Sequence, residues 1–202
     1  KTIDNLMEQI KKIQTVNNKD SLRGIEGESA RNYFSNFSEM ILSQKEHFIF
    51  NERNKRPPKD RVNALLSFLY SLLTYEVQSA LESVGLDSYV GFFHTDRPGR
   101  AGMALDMVEE LRAYMVDRLA ITLINRKQID SRGFEEKENE SVLLNEKGRN
   151  IVIEAWQKKK QEEIIHPYIE EKISIGLLPY VQAQLLARYI RGDINEYPPF
   201  LL

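Results

Sequence analysis

The sequence predicts an all-α protein: a multi-helix, bundle-like domain with a long buried central helix and a short charged hairpin or loop. Three observations carry that prediction. From Arg61 onward, Val62, Leu65, Leu66, Leu69, Leu72, Leu73, Val77, Ala80 and Leu81 recur at helical spacing and form a wide apolar face. A second stretch, from Arg100 to about Asn125, is apolar over most of a helical circumference. Leu105, Val108, Met115, Val116, Leu119 and Leu123 cover one broad side, and Tyr114, Ile121 and Ile124 the other. The remaining segments repeat the amphipathic pattern at both ends of the chain.

In chain order, Ile3, Leu6, Ile10 and Ile13 mark a short amphipathic helix that ends in turn residues between Thr15 and Asp20. Gly24 and Gly27 bracket Glu26, which is expected at the entrance of a helix burying Ala30, Tyr33, Phe34, Phe37 and Ile41. There a carboxylate is favoured by the helix dipole, or the glycines admit a metal or a backbone close to it. Arg53, Lys55, Arg56, Lys59 and Arg61 form a basic loop, either solvated or bound to a phosphate backbone. Asp60 is the expected N-cap of the central helix, in which Asn63 and Tyr70 are polar breaks.

Beyond the second long helix, Arg126, Lys127 and Arg132 suit its C-terminal dipole or DNA equally. Residues 130–141 read as a charged hairpin or loop, and Ser141–Leu144 as an extended piece. Asn145–Gln161 is an amphipathic helix, His166 is structural, and Tyr168–Ile173 is expected to add a turn or two of helix. A last helix over Leu177–Ile190 ends at Gly192, a C-cap glycine. The tail EYPPFLL is apolar, proline-stiffened and expected to pack on a neighbour.

The 202 residues suffice for one domain with its own core. A formal net charge of −2 argues against indiscriminate coating of nucleic acid and leaves a local basic groove open. With no cysteine there is neither a disulfide framework nor a thiolate metal site, which fits the cytosol; any metal must sit on oxygen and imidazole. The longest apolar tract, Ala64–Tyr75, falls short of the ~20 residues that span a bilayer, so no membrane partner is expected. The start at Lys1, in a polar helical pattern, reads as a piece of a longer protein. No P-loop, GxSxG elbow or HExxH site is present.

Asp106, Glu109, Glu110 and Asp117 fall in one sector of the second long helix, where uncompensated carboxylates cost several kcal/mol each. They need a cation, a basic partner or a wet cleft. His94 precedes this helix across a loop containing Arg97, Gly99 and Arg100. An imidazole and carboxylates beside flexible, positive backbone suit a divalent metal working on phosphate. The competing account pairs the same acids with Arg112 and Arg118.

Three segments, GIEGESARNYF (24–34), DRVNALLSFLYSLL (60–73) and GFFHTDRPGRAGMALDMVEELR (91–112), closely resemble the CRISPR adaptation integrase family, that of the first-numbered Cas protein. The closing segment, residues 177–202, looks like the subtype I-C branch. The resemblance implies a metal-dependent DNA endonuclease and integrase in a prokaryotic cytoplasm. It implies that residues 1–202 are the C-terminal α-helical catalytic domain, without the N-terminal β-rich dimerisation domain. It places one Mg²⁺ or Mn²⁺ ion on Glu26, His94 and Asp106, with Glu109 auxiliary and Glu28 and Glu110 as near misses.

The implied partners are double-stranded DNA (prespacer and CRISPR repeat), a second copy in the full-length homodimer, and a small ferredoxin-like CRISPR-associated protein. The implied reaction is attack of a 3′ hydroxyl on a repeat phosphodiester. The DNA contacts expected are Arg61, Asn63, Arg97, Arg100, Arg112 and Arg126. The other reading is a non-catalytic helical module that binds DNA or protein.

Overall fold

The structure is a computed structural model that describes residues 2–95 and 97–201. Helix α1 (Thr2–Ile13) lies against α2 (Lys19–Ser35), and α2 runs into a 3₁₀ turn over Phe37–Met40. Asn18 caps α2 by accepting the Ser21 N–H at 2.8 Å. The helix therefore begins well before Glu26, which sits in its interior rather than at its entrance as expected. Gly24 and Gly27 each cost a helix about 1 kcal/mol. The Asn18 cap and the packing on α1 offset that cost.

The centre of the core is α3 (Arg61–Ser83), which packs on α4 (Gly102–Arg112) and α7 (Leu178–Arg191). Val62, Leu65, Leu66, Leu69, Leu73, Val77 and Leu81 are fully buried along it. Asp60 caps it, accepting the Asn63 N–H at 2.8 Å. The second long helix is continuous but not uniform. After α4 it passes through a π-helical turn over Ala113–Asp117 before resuming as α5 (Arg118–Asn125).

The chain is helix-rich rather than all-α. A charged hairpin pairs β1 (Phe134–Glu136) with β2 (Val142–Leu144), antiparallel, Phe134 opposite Leu144. After α6 (Glu146–Gln161), β3 (Glu163–Ile165) and β4 (Lys172–Ser174) form a second antiparallel hairpin where further helix was expected. The reversal between them explains the difference: His166 N–H donates to the Glu171 carbonyl at 2.9 Å, and Glu170 adopts a positive φ of 57°. The buried His166 ring accepts the Tyr168 N–H at Nδ1, which fits its structural role.

Helix α7 closes at Gly192, whose φ of 80° is left-handed and is adopted freely by glycine. The tail then folds back onto its own chain. Phe200 is buried, with its ring centroid 5.4 Å from Tyr114 and 5.8 Å from His166. Glu110 anchors it, accepting the Phe200 N–H at 2.9 Å and the Gln182 Nε2–H at 3.1 Å, together with a 2.5 Å bond from the Tyr197 hydroxyl.

Gly148, in the first turn of α6, lies directly against the Gly133 carbonyl; any Cβ there would overlap that backbone oxygen. Gly148→Ala is expected to destabilise the fold by about 2 kcal/mol or more, because only backbone movement can relieve the clash. Urea unfolding checks this: the midpoint should fall while the slope stays unchanged.

Candidate active site

The chain reverses between α3 and α4, and the reversal is organised by one carboxylate. Asp106 Oδ2 accepts the backbone N–H groups of Phe92 and Phe93 at 2.8 and 2.9 Å. Its Oδ1 accepts the His94 N–H at 3.0 Å and lies 2.6 Å from His94 Nδ1. A carboxylate only accepts, so the ring carries its proton on Nδ1 and leaves Nε2 as the open nitrogen. Gly91 makes the approach possible, since a Cβ there would stand 2.9 Å from Asp106 Oδ2 and 2.7 Å from the Gly102 carbonyl carbon.

The Asp106 side chain is only 1% exposed, with both oxygens committed. Asp106, which the family resemblance implies as a metal ligand, here orients the imidazole through Oδ1. His94 Nε2 makes no hydrogen bond among the described residues, and its side chain is 20% exposed.

Glu109 stands three residues beyond Asp106, on the same helix face. Burial pushes the Glu109 carboxyl above the usual range; Arg112 opposes that shift, Glu26 reinforces it, and His94 and Lys55 oppose it. Glu109 Oε2 is 2.8 Å from Arg112 Nη1. Glu26 is exposed on α2, and a Cβ at Gly24 or Gly27 would meet nothing within 4 Å. Glu26, His94 and Glu109 thus share one electrostatic neighbourhood. No three His, Asp or Glu side chains among the described residues stand close enough to hold a metal ion as they are. The donor types fit a hard divalent cation, but their spacing is open.

Cations line the same place. Arg112 is held above its ordinary range: burial disfavours its charge, but Glu109, Tyr70, Asp117 and Glu26 outweigh that. Lys55 is pushed down by burial and then by Arg53 and Arg112, against the pull of Glu109 and Glu26. The charge run hinted at Lys55, but nothing in it singled that residue out. Among the described residues Arg53 makes no ion pair, although Asp117 and Asp60 favour its charge from a distance. It donates to Asn63 Oδ1 at 2.6 Å and Ser67 Oγ at 3.0 Å, and its guanidinium lies 5.3 Å from the Tyr70 ring centroid.

The remaining expected residues separate. Asn63 is fully buried, its amide donating to the Glu52 carbonyl and to Asp60, so it braces the basic loop. Arg61 is tied to the His47 carbonyl at 3.0 Å and Glu136 at 3.3 Å. Arg97 is exposed and Arg100 half-buried in the loop after His94; Arg126 is exposed beyond α5. Glu110 and Asp117 leave the acidic sector. Glu110 turns to the C-terminal tail, and the π turn carries Asp117 inward to the hydroxyls of Tyr33 at 3.0 Å and Tyr70 at 2.5 Å. Burial raises the Asp117 carboxyl, opposed by those two tyrosines and then by Arg112 and Arg53.

The arrangement is that of a helical domain holding an oriented imidazole beside acidic and basic side chains. Residues 1–158 match the family described as CRISPR associated protein Cas1, and the chain belongs to that family. It is 52% identical over 192 residues to CRISPR-associated endonuclease Cas1 1 of Chlorobaculum tepidum, covering 95% of this chain and 56% of that protein. It is 50% identical over 199 residues to CRISPR-associated endonuclease Cas1 2 of Rhodospirillum rubrum, covering 98% of this chain and 58% of that one. The chain therefore spans a little over half the length of these relatives.

Among solved structures, a casposase bound to integration product superposes with a TM-score of 0.87 at 25% identity, over 97% of this chain and 55% of that one. A Cas1 protein from Thermotoga maritima gives 0.83 at 28%, over 94% and 57%. A chain of a Cas6-RT-Cas1–Cas2 complex gives 0.84 at 27%, over 99% of this chain and 21% of that one.

Two outcomes follow from the buried acids. Asp106→Asn places an amide N–H₂ against backbone donors and is expected to cost about 2–3 kcal/mol. In ¹⁵N spectra, the His94 Nδ1–H signature should then be lost. Asp117 binds its proton more tightly folded than unfolded, so its contribution to stability grows as pH falls toward the ordinary carboxylate range and is lost as pH rises through the raised value. Thermal unfolding of wild type and Asp117→Asn across that window should show the difference shifting in favour of wild type on acidification.

Proposed function

We propose that this chain is the DNA-joining domain of a CRISPR adaptation integrase, acting by metal-dependent transesterification. The observation that carries the proposal is His94, locked by Asp106 so that Nε2 is open within electrostatic reach of Glu109, with Glu26 coupled to the same carboxylate. The relatives' description as CRISPR-associated endonucleases, and the casposase bound to integration product among the structural neighbours, support the reaction class.

Glu26, His94 Nε2 and Glu109 would hold a Mg²⁺ or Mn²⁺ ion, with Glu109 replacing the expected Asp106. When bound, the ion supplies Lewis acidity at a phosphate oxygen. Asp106 keeps the Nδ1 proton and the ring orientation, as outer partners of a ligating histidine do. Arg112 and Lys55 give the site the positive field that a DNA phosphate requires, and Arg97 and Arg100 extend it along the loop. The 3′ hydroxyl of an incoming strand attacks a phosphodiester of the repeat, so one P–O bond forms as another breaks and no high-energy cofactor is consumed.

The space around Gly24 and Gly27 leaves Glu26 open to the DNA backbone. The subtype I-C assignment, the full-length homodimer and a small ferredoxin-like partner belong to the same proposal. Two structural neighbours are chains of Cas6-RT-Cas1–Cas2 complexes, which supports a partner protein. The open spacing of the three ligands favours one other reading, a helical module that binds DNA without catalysis.

In the full-length protein, His94→Ala, Glu26→Gln and Glu109→Gln are each expected to lower Mn²⁺-dependent strand joining by at least about a hundredfold, with helical circular dichroism preserved. A Mn²⁺ titration separates the two readings, since a binding module shows no saturable site sensitive to Glu26→Gln. Gly27→Ala should raise helix stability by about 1 kcal/mol yet reduce joining, because the new methyl occupies the approach to Glu26.

A further inference from the structure

We infer that Arg23 is a positioning residue that ties the helix carrying Glu26 to the loop carrying His94, setting the spacing across which a divalent cation is held. The inference rests on the proposed metal role of Glu26 and His94. One guanidinium nitrogen of Arg23 donates to the Phe93 carbonyl at 2.8 Å and to Thr95 Oγ1 at 3.0 Å, the residues immediately before and after His94. Its Cζ also lies 5.8 Å from the Phe93 ring centroid. Arg23 and Glu26 are three apart on α2 and lie on one side of it. A single side chain therefore bridges the two ligand-bearing segments.

Among the described residues, little else makes that connection. Helix α2 rests chiefly on α1 and on the 3₁₀ turn that follows it. Among the described residues, its other polar tie to the helices of the core is Tyr33, two turns beyond Glu26, donating to Asp117 at 3.0 Å. The two ties bracket Glu26. Tyr33 fixes where α2 meets the second long helix, and Arg23 fixes how close its near end comes to His94. The Asp20 carboxylate, 3.4 Å from Arg23 Nη1 and almost wholly exposed, competes weakly for the guanidinium. A solvated surface arginine would have no need of a backbone carbonyl and a hydroxyl on the far side of the site.

The test compares wild type with Arg23→Met, Arg23→Lys, Thr95→Val and the Arg23→Met/Thr95→Val pair. Two readouts are used: hydrogen exchange at the Phe93 and His94 amides, and Mn²⁺ affinity from the electron paramagnetic resonance signal of the free ion. Arg23→Met should speed exchange at those amides and weaken Mn²⁺ binding, each by about tenfold, with α3 amides unchanged. Arg23→Lys should recover most of both effects, and the double variant should be no worse than Arg23→Met.

If wild type binds Mn²⁺ and Arg23→Met alters neither readout, the tie is overturned while the metal reading stands. If Arg23→Met speeds exchange in α3 equally, the residue serves global stability and the inference is also overturned. If wild type has no saturable Mn²⁺ site, the metal reading and the ion-spacing role both fail. The loop exchange then decides only whether the mechanical tie exists.

Discussion

The Asp106 carboxylate is the constraint from which the site is built. Buried beside the start of α4, it would be prohibitively placed if any of its capacity were unused. Three successive backbone N–H groups and the His94 ring fill that capacity, and the chain between α3 and α4 must adopt the one path that delivers them. Gly91 leaves room for that path. The same contacts set the tautomer of His94 and leave its second nitrogen without a hydrogen bond among the described residues.

The helix downstream shows how four acids on one element acquire four fates. Asp106 binds the loop, Glu109 meets Arg112, Glu110 takes the returning tail, and Asp117 receives two tyrosine hydroxyls. The π turn at Ala113–Asp117 interrupts the α-helical phase and turns Asp117 inward. Arg112 and Arg53 both lie within the field of the Asp117 carboxylate. The carboxylate and the two guanidinium groups favour each other's charged forms.

Much of the fold was legible because its signals are local. The α3 face from Val62 to Leu81, the Asp60 cap, the Gly192 terminus and the β1–β2 hairpin follow from side-chain periodicity, a capping oxygen and turn chemistry acting within a few residues. Three features were not legible. Glu26 lies inside α2 because the Asn18 cap and the contact with α1 outweigh two glycines. The β3–β4 hairpin depends on a reversal around His166 that apolar spacing over six residues cannot distinguish from a helical turn. Asn63 looked available at a polar break, yet it is buried among Arg53, Asn54, Glu52 and Asp60.

The sequence by itself determined which residue types are available and which stretch of chain carries them: His94, the acids of the second long helix, Glu26 between two glycines, and the basic loop. Those choices are made one element at a time, by hydrophobic period and local hydrogen bonding. Only the tertiary structure decided which acid serves the imidazole and which meets a guanidinium, because Asp106 and Glu109 differ in nothing that spacing reveals. What separates them is the number of donors that distant segments bring to each. Four N–H groups converge on Asp106, whereas Glu109 meets a guanidinium at a partly open surface.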